Sequence, residues 1–267
     1  MGIEIKKKTA YPINDLLKRS GISEKHYRLF KRLLIILEEE GLVKINNEVL
    51  VFLEDANSSE LLISQQELHG VMKANEVEFT LLDNCGKNLA AVLKEEIDPI
   101  QLIFADDRLT DYLYRDSPTS KIYNTVAADL MQELTKKVDD NKLLNVLEIG
   151  AGTGGTTAFL LPALKNKNFN YTFSDLSSVF LEKARVKFKE FEKNMSFELI
   201  NIEAEETVVT QEAGVYDIVV AANVLHATKD IRRTLLHAKK KLAPGGVILL
   251  IEITRPTRWI ELVFGLT

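Results

Sequence analysis

The residues best placed for chemistry form one run, in which Leu144-Asn-Val-Leu-Glu148-Ile-Gly150 leads into Ala151-Gly152-Thr153-Gly154-Gly155-Thr156-Thr157. Its first half reads as a buried strand. The glycines that follow suit a sharp turn on which a ligand can lie with no Cβ between it and the backbone. Two ligands fit the spacing. Gly150, Gly152 and Gly155 satisfy the G-x-G-x-x-G of a dinucleotide loop, while Glu148 with Gly150, Gly152 and Gly154 satisfies the E-x-G-x-G-x-G of an S-adenosylmethionine (SAM) loop. A pyrophosphate calls for bare N–H groups at a helix N-terminus. SAM has no phosphate but carries an ammonium and a sulfonium, which a carboxylate suits. Glu148 therefore favours SAM.

Polar residues recur where later strands should end. Asn170 to Asp175 reads as the second strand, with Asp175 at its carboxyl end, where an acid accepts the two ribose hydroxyls; the alternative is a cap for a helix starting near Ser178. Phe197 to Ile202 reads as the third. There Asn201 can accept from an adenine amino group and Ile202 can pack on the ring, or Asn201 is only surface polarity. A fourth strand, Tyr216 to Ala222, runs into Asn223-Val-Leu-His226-Ala-Thr228. A helix over Ile231 to Leu242, a Pro-Gly-Gly turn and a fifth strand from Val247 to Glu252 complete the pattern.

Short apolar runs alternating with amphipathic stretches are the pattern of a parallel sheet wrapped by helices. The 267 residues, 46% hydrophobic and 27% charged, allow such an α/β domain plus an appendage. That appendage occupies the start of the chain. A short helix from Ile13 to Arg19 stops at Ser20-Gly21. Ser23 caps a second, with Tyr27, Phe30, Leu33, Leu34 and Leu37 on one face, and Gly41 ends it. A hairpin from Leu42 to Val51 turns at Asn46-Asn47, giving a winged-helix outline. Residues 58 to 115 read as further helices, notably Glu76 to Lys94, broken at Pro99. Ser117 and Pro118 open a connecting helix to about Val138. The expected division is thus 1–115, a helix in 116–143, and the core in 144–267.

The charge of −5 argues against a nucleic-acid or membrane-surface protein; residues 1–50 carry +3, spread over both helix faces, against −8 for the rest. No apolar run approaches a membrane span, Met1 to Lys8 has no apolar core for export, and the one cysteine, Cys85, excludes an internal disulfide or a cysteine zinc site. A cytoplasmic protein without a metal is expected.

With those residues in view, the chain resembles the methyltransferase domains of modular polyketide synthases. The resemblance rests on Leu147 to Thr157, Asn223 to Thr228, Leu242-Ala-Pro-Gly-Gly246, Ile251-Glu-Ile-Thr254 and Phe264-Gly-Leu-Thr267, with Gly86 to Leu93, Asp98-Pro99, Asp116-Ser-Pro118 and Tyr123-Asn124 upstream. It implies a class I SAM-dependent methyltransferase core, Rossmann-like, with a mostly helical, winged-helix-like lid. It carries cofactor contacts onto Glu148, Gly150, Gly152, Gly154, Asp175, Leu176, Asn201, Ile202, Asn223 and Tyr123, and substrate contacts onto Tyr123 and Asn124. Asn201 departs from the family's frequent aspartate, which should weaken adenine binding. The last two strands of a seven-stranded core have no counterpart here.

The same resemblance makes His226 and Glu252 a catalytic dyad. Both follow strands that should be neighbours, about 4.8 Å apart, so Glu252 can orient His226 as a base toward a β-ketoacyl chain on an acyl carrier protein, among neighbouring synthase domains. Two alternatives stay open: O-methylation of a β-hydroxyacyl chain, and a winged-helix regulator that only senses SAM.

Overall fold

Alternation of buried side chains along five strands builds the larger of two units. In the computed structural model, which describes residues 3–55, 75–104, 106–139, 141–204, 214–255 and 257–266, this unit is Thr110–Thr254, and the other is Met1–Leu109 with Arg255–Thr267. Strands β4 (Leu144–Ile149), β5 (Phe169–Asp175), β6 (Met195–Leu199), β7 (Tyr216–Ala222) and β8 (Leu242–Ile251) form a sheet in the order β6-β5-β4-β7-β8. Every pairing is parallel.

Successive residues point to opposite faces of a strand. Val146, Tyr171, Phe173, Ile218 and Val220 enter one core with Ala127 and Met131 of helix α6 (Pro118–Thr135), Leu160, Leu161 and Leu164 of α7 (Thr157–Leu164), and Leu181 and Ala184 of α8 (Ser178–Lys187). Leu147, Ile149, Val219 and Ala221 enter the other with Ala238 of α9 (Ile231–Lys241). The chain moves outward from β4 through β5 to β6, then returns to the far side of β4 for β7 and β8. That reversal opens a crevice beyond the carboxyl ends of β4 and β7.

Three boundaries differ from the sequence reading. β6 ends at Leu199, because Asn201 starts a turn in which its Oδ1 accepts from the Glu203 N–H at 3.0 Å and its carbonyl from the Ala204 N–H. The Pro-Gly-Gly segment belongs to β8: Leu242 pairs with Tyr216 and Val247 with Ile218, so Ala243 to Gly246 bulge out of the ladder. The connecting helix starts as expected, the Ser117 Oγ accepting from the Ser120 N–H at 3.3 Å, but stops at Thr135.

The smaller unit has the winged-helix outline. A three-stranded antiparallel sheet in the order β1-β3-β2 combines β1 (Ala10–Pro12), β2 (Val43–Asn46) and β3 (Val49–Phe52). It packs through Leu50 and Val43 on Ile13 and Leu16 of α1 (Ile13–Ser20) and Leu34 of α2 (Tyr27–Glu39). The hairpin turns at Asn47 and Glu48, one residue later than expected, with φ of 48° and 62°, the two positive values of a type I′ turn. Ser23 caps a 3₁₀ turn, Glu24–His26, ahead of α2. Helices α3 (Glu76–Leu93), α4 (Pro99–Phe104), α5 (Asp107–Asp111) and α10 (Arg258–Val263) complete the unit and its edge. Pro99 opens a helix rather than merely breaking one. The boundary between the two units falls at 109/110, and Arg255–Thr267 is counted with the first; residues 56–74 of the expected helical region lie outside the described ones. No helix of the described residues is long and apolar enough to cross a membrane.

Two of the three basic residues of α2, Lys31 and Arg32, are occupied. Arg32 donates from Nε and Nη2 to Glu261 at 2.7 and 3.0 Å and also pairs with Glu39. Lys31 pairs with Glu48 at 3.2 Å. Neither is presented as a free phosphate contact.

Leu147 lies at the centre of β4 with no exposure. Leu147→Ala should therefore lower the stability of the larger unit by about 2–5 kcal/mol, the usual cost of such a cavity, read as a fall in the denaturant midpoint.

Candidate active site

The β4–α7 turn occupies the crevice mouth. Gly150, Gly152 and Gly154 have φ of 60°, 55° and 71°, a region that L side chains avoid. The glycines also serve packing. A Cβ at Gly150 would stand 2.6 Å from a Val224 methyl, and one at Gly155 would stand 2.5 Å from the Tyr114 carbonyl oxygen. Gly152 differs, since only the Gly150 carbonyl comes within 4.0 Å of such a Cβ. It is the open place on the turn.

Asp175 holds this turn. Its Oδ2 accepts from the Gly152 N–H at 2.9 Å and its Oδ1 from the Ser177 N–H at 2.8 Å. It does not cap α8, whose N-cap Ser177 has no side-chain cap bond, and each of its oxygens keeps a lone pair. Leu176, the next residue, is well exposed. Lys187 closes the turn from the other side, its Nζ donating to the Thr153 carbonyl at 2.8 Å and to Asp111 at 3.0 Å.

Two expected contacts are corrected. Glu148 is buried on the same face of β4 as Val146, and its Oε2 accepts from Thr157 Oγ1 at 2.5 Å and from the Tyr171 hydroxyl at 2.6 Å. Its charge is therefore not offered at the loop surface. Burial pushes its carboxyl up to about 7, outweighing those two hydroxyls, which lower it. Asn124 is buried too, its Nδ2 donating to the Tyr114 carbonyl at 3.0 Å and its Oδ1 accepting from Thr156 Oγ1 at 2.9 Å. With both ends of the amide taken, Asn124 fastens α6 to the turn instead of meeting a substrate. Its neighbour Tyr123 is exposed. The stretch between them and α5, Tyr112–Asp116, is a π-helical turn, a form common at functional sites.

On the far side of the crevice, β7 and β8 bring His226 and Glu252 together. His226 Nδ1 lies 2.5 Å from Glu252 Oε2. Glu252 Oε1 accepts from the Val224 and Leu225 N–H groups at 3.1 and 2.8 Å. Because a carboxylate only accepts, Nδ1 carries the proton of the neutral ring and Nε2 is left as a base. The His226 side chain is 55% exposed and that of Glu252 18%, so the carboxylate is sheltered and the imidazole is open. Asn223, at the head of this loop, has φ of 55°, and its Oδ1 is buried without a hydrogen-bond partner.

The purine expectation changes in detail. Asn201 is exposed, with Oδ1 already accepting from Glu203. The Ile202 side chain is buried in the core with Ile149 and Leu225, so it does not present a face to a ring. Two bonds fix this loop: His237 Nδ1 lies 2.7 Å from the Ile202 carbonyl oxygen, and Glu203 Oε1 accepts from the Lys229 N–H at 2.7 Å. Sequence reasoning missed Lys187, His237 and Glu203; their partners are backbone groups 26 to 35 residues away, and nothing in residue type marks that.

The residues present fit SAM. An orphaned buried acceptor on Asn223 suits an ammonium, the space over Gly152 admits a ligand against the backbone, and Asp175 has lone pairs for ribose hydroxyls. No group of three metal-ligating side chains occurs among the described residues.

Comparison with known proteins agrees. A profile of the family described as a methyltransferase domain matches residues 147–248. The chain is 32% identical, over its whole length, to 11% of the non-reducing polyketide synthase adrD of Penicillium rubens. It is 34% identical, over 89% of its length, to 6% of the hybrid PKS-NRPS synthetase iliA of Neonectria. It thus spans about a tenth or less of the curated relatives it matches. Among solved structures it superposes on the CurJ carbon methyltransferase with a TM-score of 0.93 and 34% identity, covering 100% of this chain and 71% of that one. The citrinin polyketide synthase CMeT domain gives 0.82 and 29%, covering 92% and 66%.

Glu148 supplies a test of the site's electrostatics. Its folded value near 7 exceeds the ordinary 4.5, so between those values the fold holds a proton that the unfolded chain has released. Stability from this group is present at low pH and is lost as pH rises through that window. Glu148→Gln removes the titration. The stability of the variant relative to the parent should rise by about 3 kcal/mol from pH 4 to pH 8, measured by denaturant unfolding at each pH; parallel curves would show that Glu148 does not titrate there.

Proposed function

The chain belongs to the carbon methyltransferase family of polyketide synthase domains, and we propose that it methylates the α-carbon of a β-ketoacyl chain borne on an acyl carrier protein, with His226 as base. Its cofactor is SAM. When bound, SAM supplies a methyl group on a sulfonium that departs as a neutral thioether. The other tasks fall to this chain's own residues. His226 Nε2 takes the proton between the two carbonyls, acidic because both stabilise the resulting enolate. As the ring becomes an imidazolium, Glu252 Oε2 holds the Nδ1 proton and balances the new charge. Glu252 cannot swing away, because its other oxygen is held by two backbone N–H groups. Asp175 and Gly152 hold the cofactor on the opposite wall, and Asn223 meets it from the head of the His226 loop.

The observation that carries this reading is the 2.5 Å His226–Glu252 pair at adjacent strand ends. Carbon rather than oxygen as acceptor is supported by the CurJ domain and by the DszA carbon methyltransferase, which superposes with a TM-score of 0.88 at 25% identity. The carrier protein and neighbouring synthase domains are part of the proposal, resting on relatives that are large synthases.

Incubation with SAM and a β-ketoacyl-loaded or β-hydroxyacyl-loaded carrier protein, read by intact mass, tests the acceptor. A gain of one methylene on the β-ketoacyl chain alone is expected, and a gain on the hydroxyacyl chain alone would reverse the assignment. His226→Ala should lose roughly 10²–10⁴-fold in methyl transfer, the usual worth of a general base, with SAM affinity unchanged. Glu252→Gln should lose less, and the double variant should be little worse than His226→Ala. Additive losses would mean that the two side chains act independently.

A further inference from the structure

His237 belongs to no part of the dyad or of the glycine turn, yet it is a buried polar side chain, 4% exposed, with one specific partner. Its Nδ1 lies 2.7 Å from the carbonyl oxygen of Ile202, 35 residues earlier. A carbonyl only accepts, so Nδ1 carries the proton and donates. The bond ties α9, the helix after the dyad loop, to the turn after β6. A second bond, Glu203 Oε1 accepting from the Lys229 N–H at 2.7 Å, sews the same turn to the same side. The rest of the turn is held by its own Asn201 contacts, to Glu203 and Ala204. In this well-fastened segment the N–H of Ile202 has no partner among the described residues, although its carbonyl is fixed by His237.

We propose that His237 is a positioning residue for purine recognition: by fixing the Ile202 carbonyl it sets the plane of this turn so that the Ile202 N–H donates to the adenine N1 of the cofactor while Asn201 accepts from the adenine amino group. This rests on the reading that the β6 turn holds the adenine. The chemistry makes it specific. Adenine offers N1 as an acceptor beside an amino donor. The deaminated base, hypoxanthine, reverses both, with a proton on N1 and a carbonyl where the amino group was. A turn held in the proposed orientation sets donor against donor and acceptor against acceptor when it meets hypoxanthine, and a turn released from His237 can tilt to relieve both. His237 therefore governs discrimination between the bases more than affinity for the whole ligand.

Calorimetry on the full chain with S-adenosylhomocysteine and with S-inosylhomocysteine measures that ratio directly, without turnover. The parent should prefer the adenine compound by roughly 10- to 100-fold, as expected for mispaired sheltered hydrogen bonds. His237→Phe keeps the ring volume and removes the donor, and should bring the ratio to within about threefold of unity, the loss of a single hydrogen bond to a fixed group. His237→Asn places an amide N–H near the Nδ1 position and should restore most of the preference, which a purely space-filling role would not predict. Should His237→Phe fail to fold, His237→Ser, too short to reach the carbonyl, takes its place. Asn201→Ala reports on the adenine reading separately. An unchanged ratio in folded His237→Phe or His237→Ser, with a reduced one in Asn201→Ala, would overturn the role of His237 and leave the adenine reading standing. An unchanged ratio in all of them would overturn both.

Discussion

The site depends on one constraint: the backbone leaving β4 must reverse into α7 within a few residues and still leave room for a ligand. A side chain and a backbone carbonyl crowd that reversal from two directions. Val224 of the dyad loop comes so near Gly150, and the Tyr114 carbonyl so near Gly155, that neither position can carry a Cβ without moving its neighbour. The turn is thus a packed joint between the dyad loop and the π-helical turn before α6. Polar bonds finish the joint: Asp175 to Gly152, Lys187 to Thr153, and Asn124 to Thr156 and Tyr114. Only the place above Gly152 is left unfilled by protein.

Glu252 plays a similar part on the opposite wall. An orienting carboxylate that could rotate would leave the imidazole free to turn with it. Here one oxygen is committed to the Val224 and Leu225 N–H groups and the other to His226. The loop that carries His226 and the carboxylate bonded to it are therefore held together by three hydrogen bonds. Val224 belongs to both constraints, since its N–H meets Glu252 and its side chain meets Gly150. Cofactor turn and dyad are mechanically continuous through that residue.

How much of this was legible in the sequence follows from the range of the forces involved. Strands, helix starts and the winged-helix outline were readable because alternation, caps and glycine stops act within a few residues; Ser117, Gly21 and Gly41 do what their types suggest. That His226 and Glu252 come together was readable through their spacing from strand ends and a resemblance. Boundaries set by pairing were not, and so Pro-Gly-Gly, a helix stop by type, proved to be a bulge fixed by the register of β7 and β8. Glu148 and Asn124 are ambiguous in sequence for a related reason. An acid or an amide beside a glycine loop looks the same in sequence whether it faces a ligand or the core. Only the partners, Tyr171 and Thr157 for one and Tyr114 and Thr156 for the other, decide the question.

Asn223 shows where the fold accepts a cost for the site. Its φ of 55° is one that asparagine tolerates better than most residues. Its N–H is well placed, donating to the Ile251 carbonyl at 2.7 Å, so the backbone here prolongs the β7–β8 ladder. The side chain is another matter. A buried amide oxygen without a partner costs about 1–3 kcal/mol, and an aliphatic residue would avoid that cost but would lose the tolerance for positive φ and the acceptor together. Glu148 makes the same kind of sacrifice, since burial raises its carboxyl to about 7, yet its two hydroxyl partners are supplied by the protein itself. Asn223 has no such internal compensation. The difference separates a polar group whose partners hold the frame from one that keeps an unused acceptor beside the loop carrying His226.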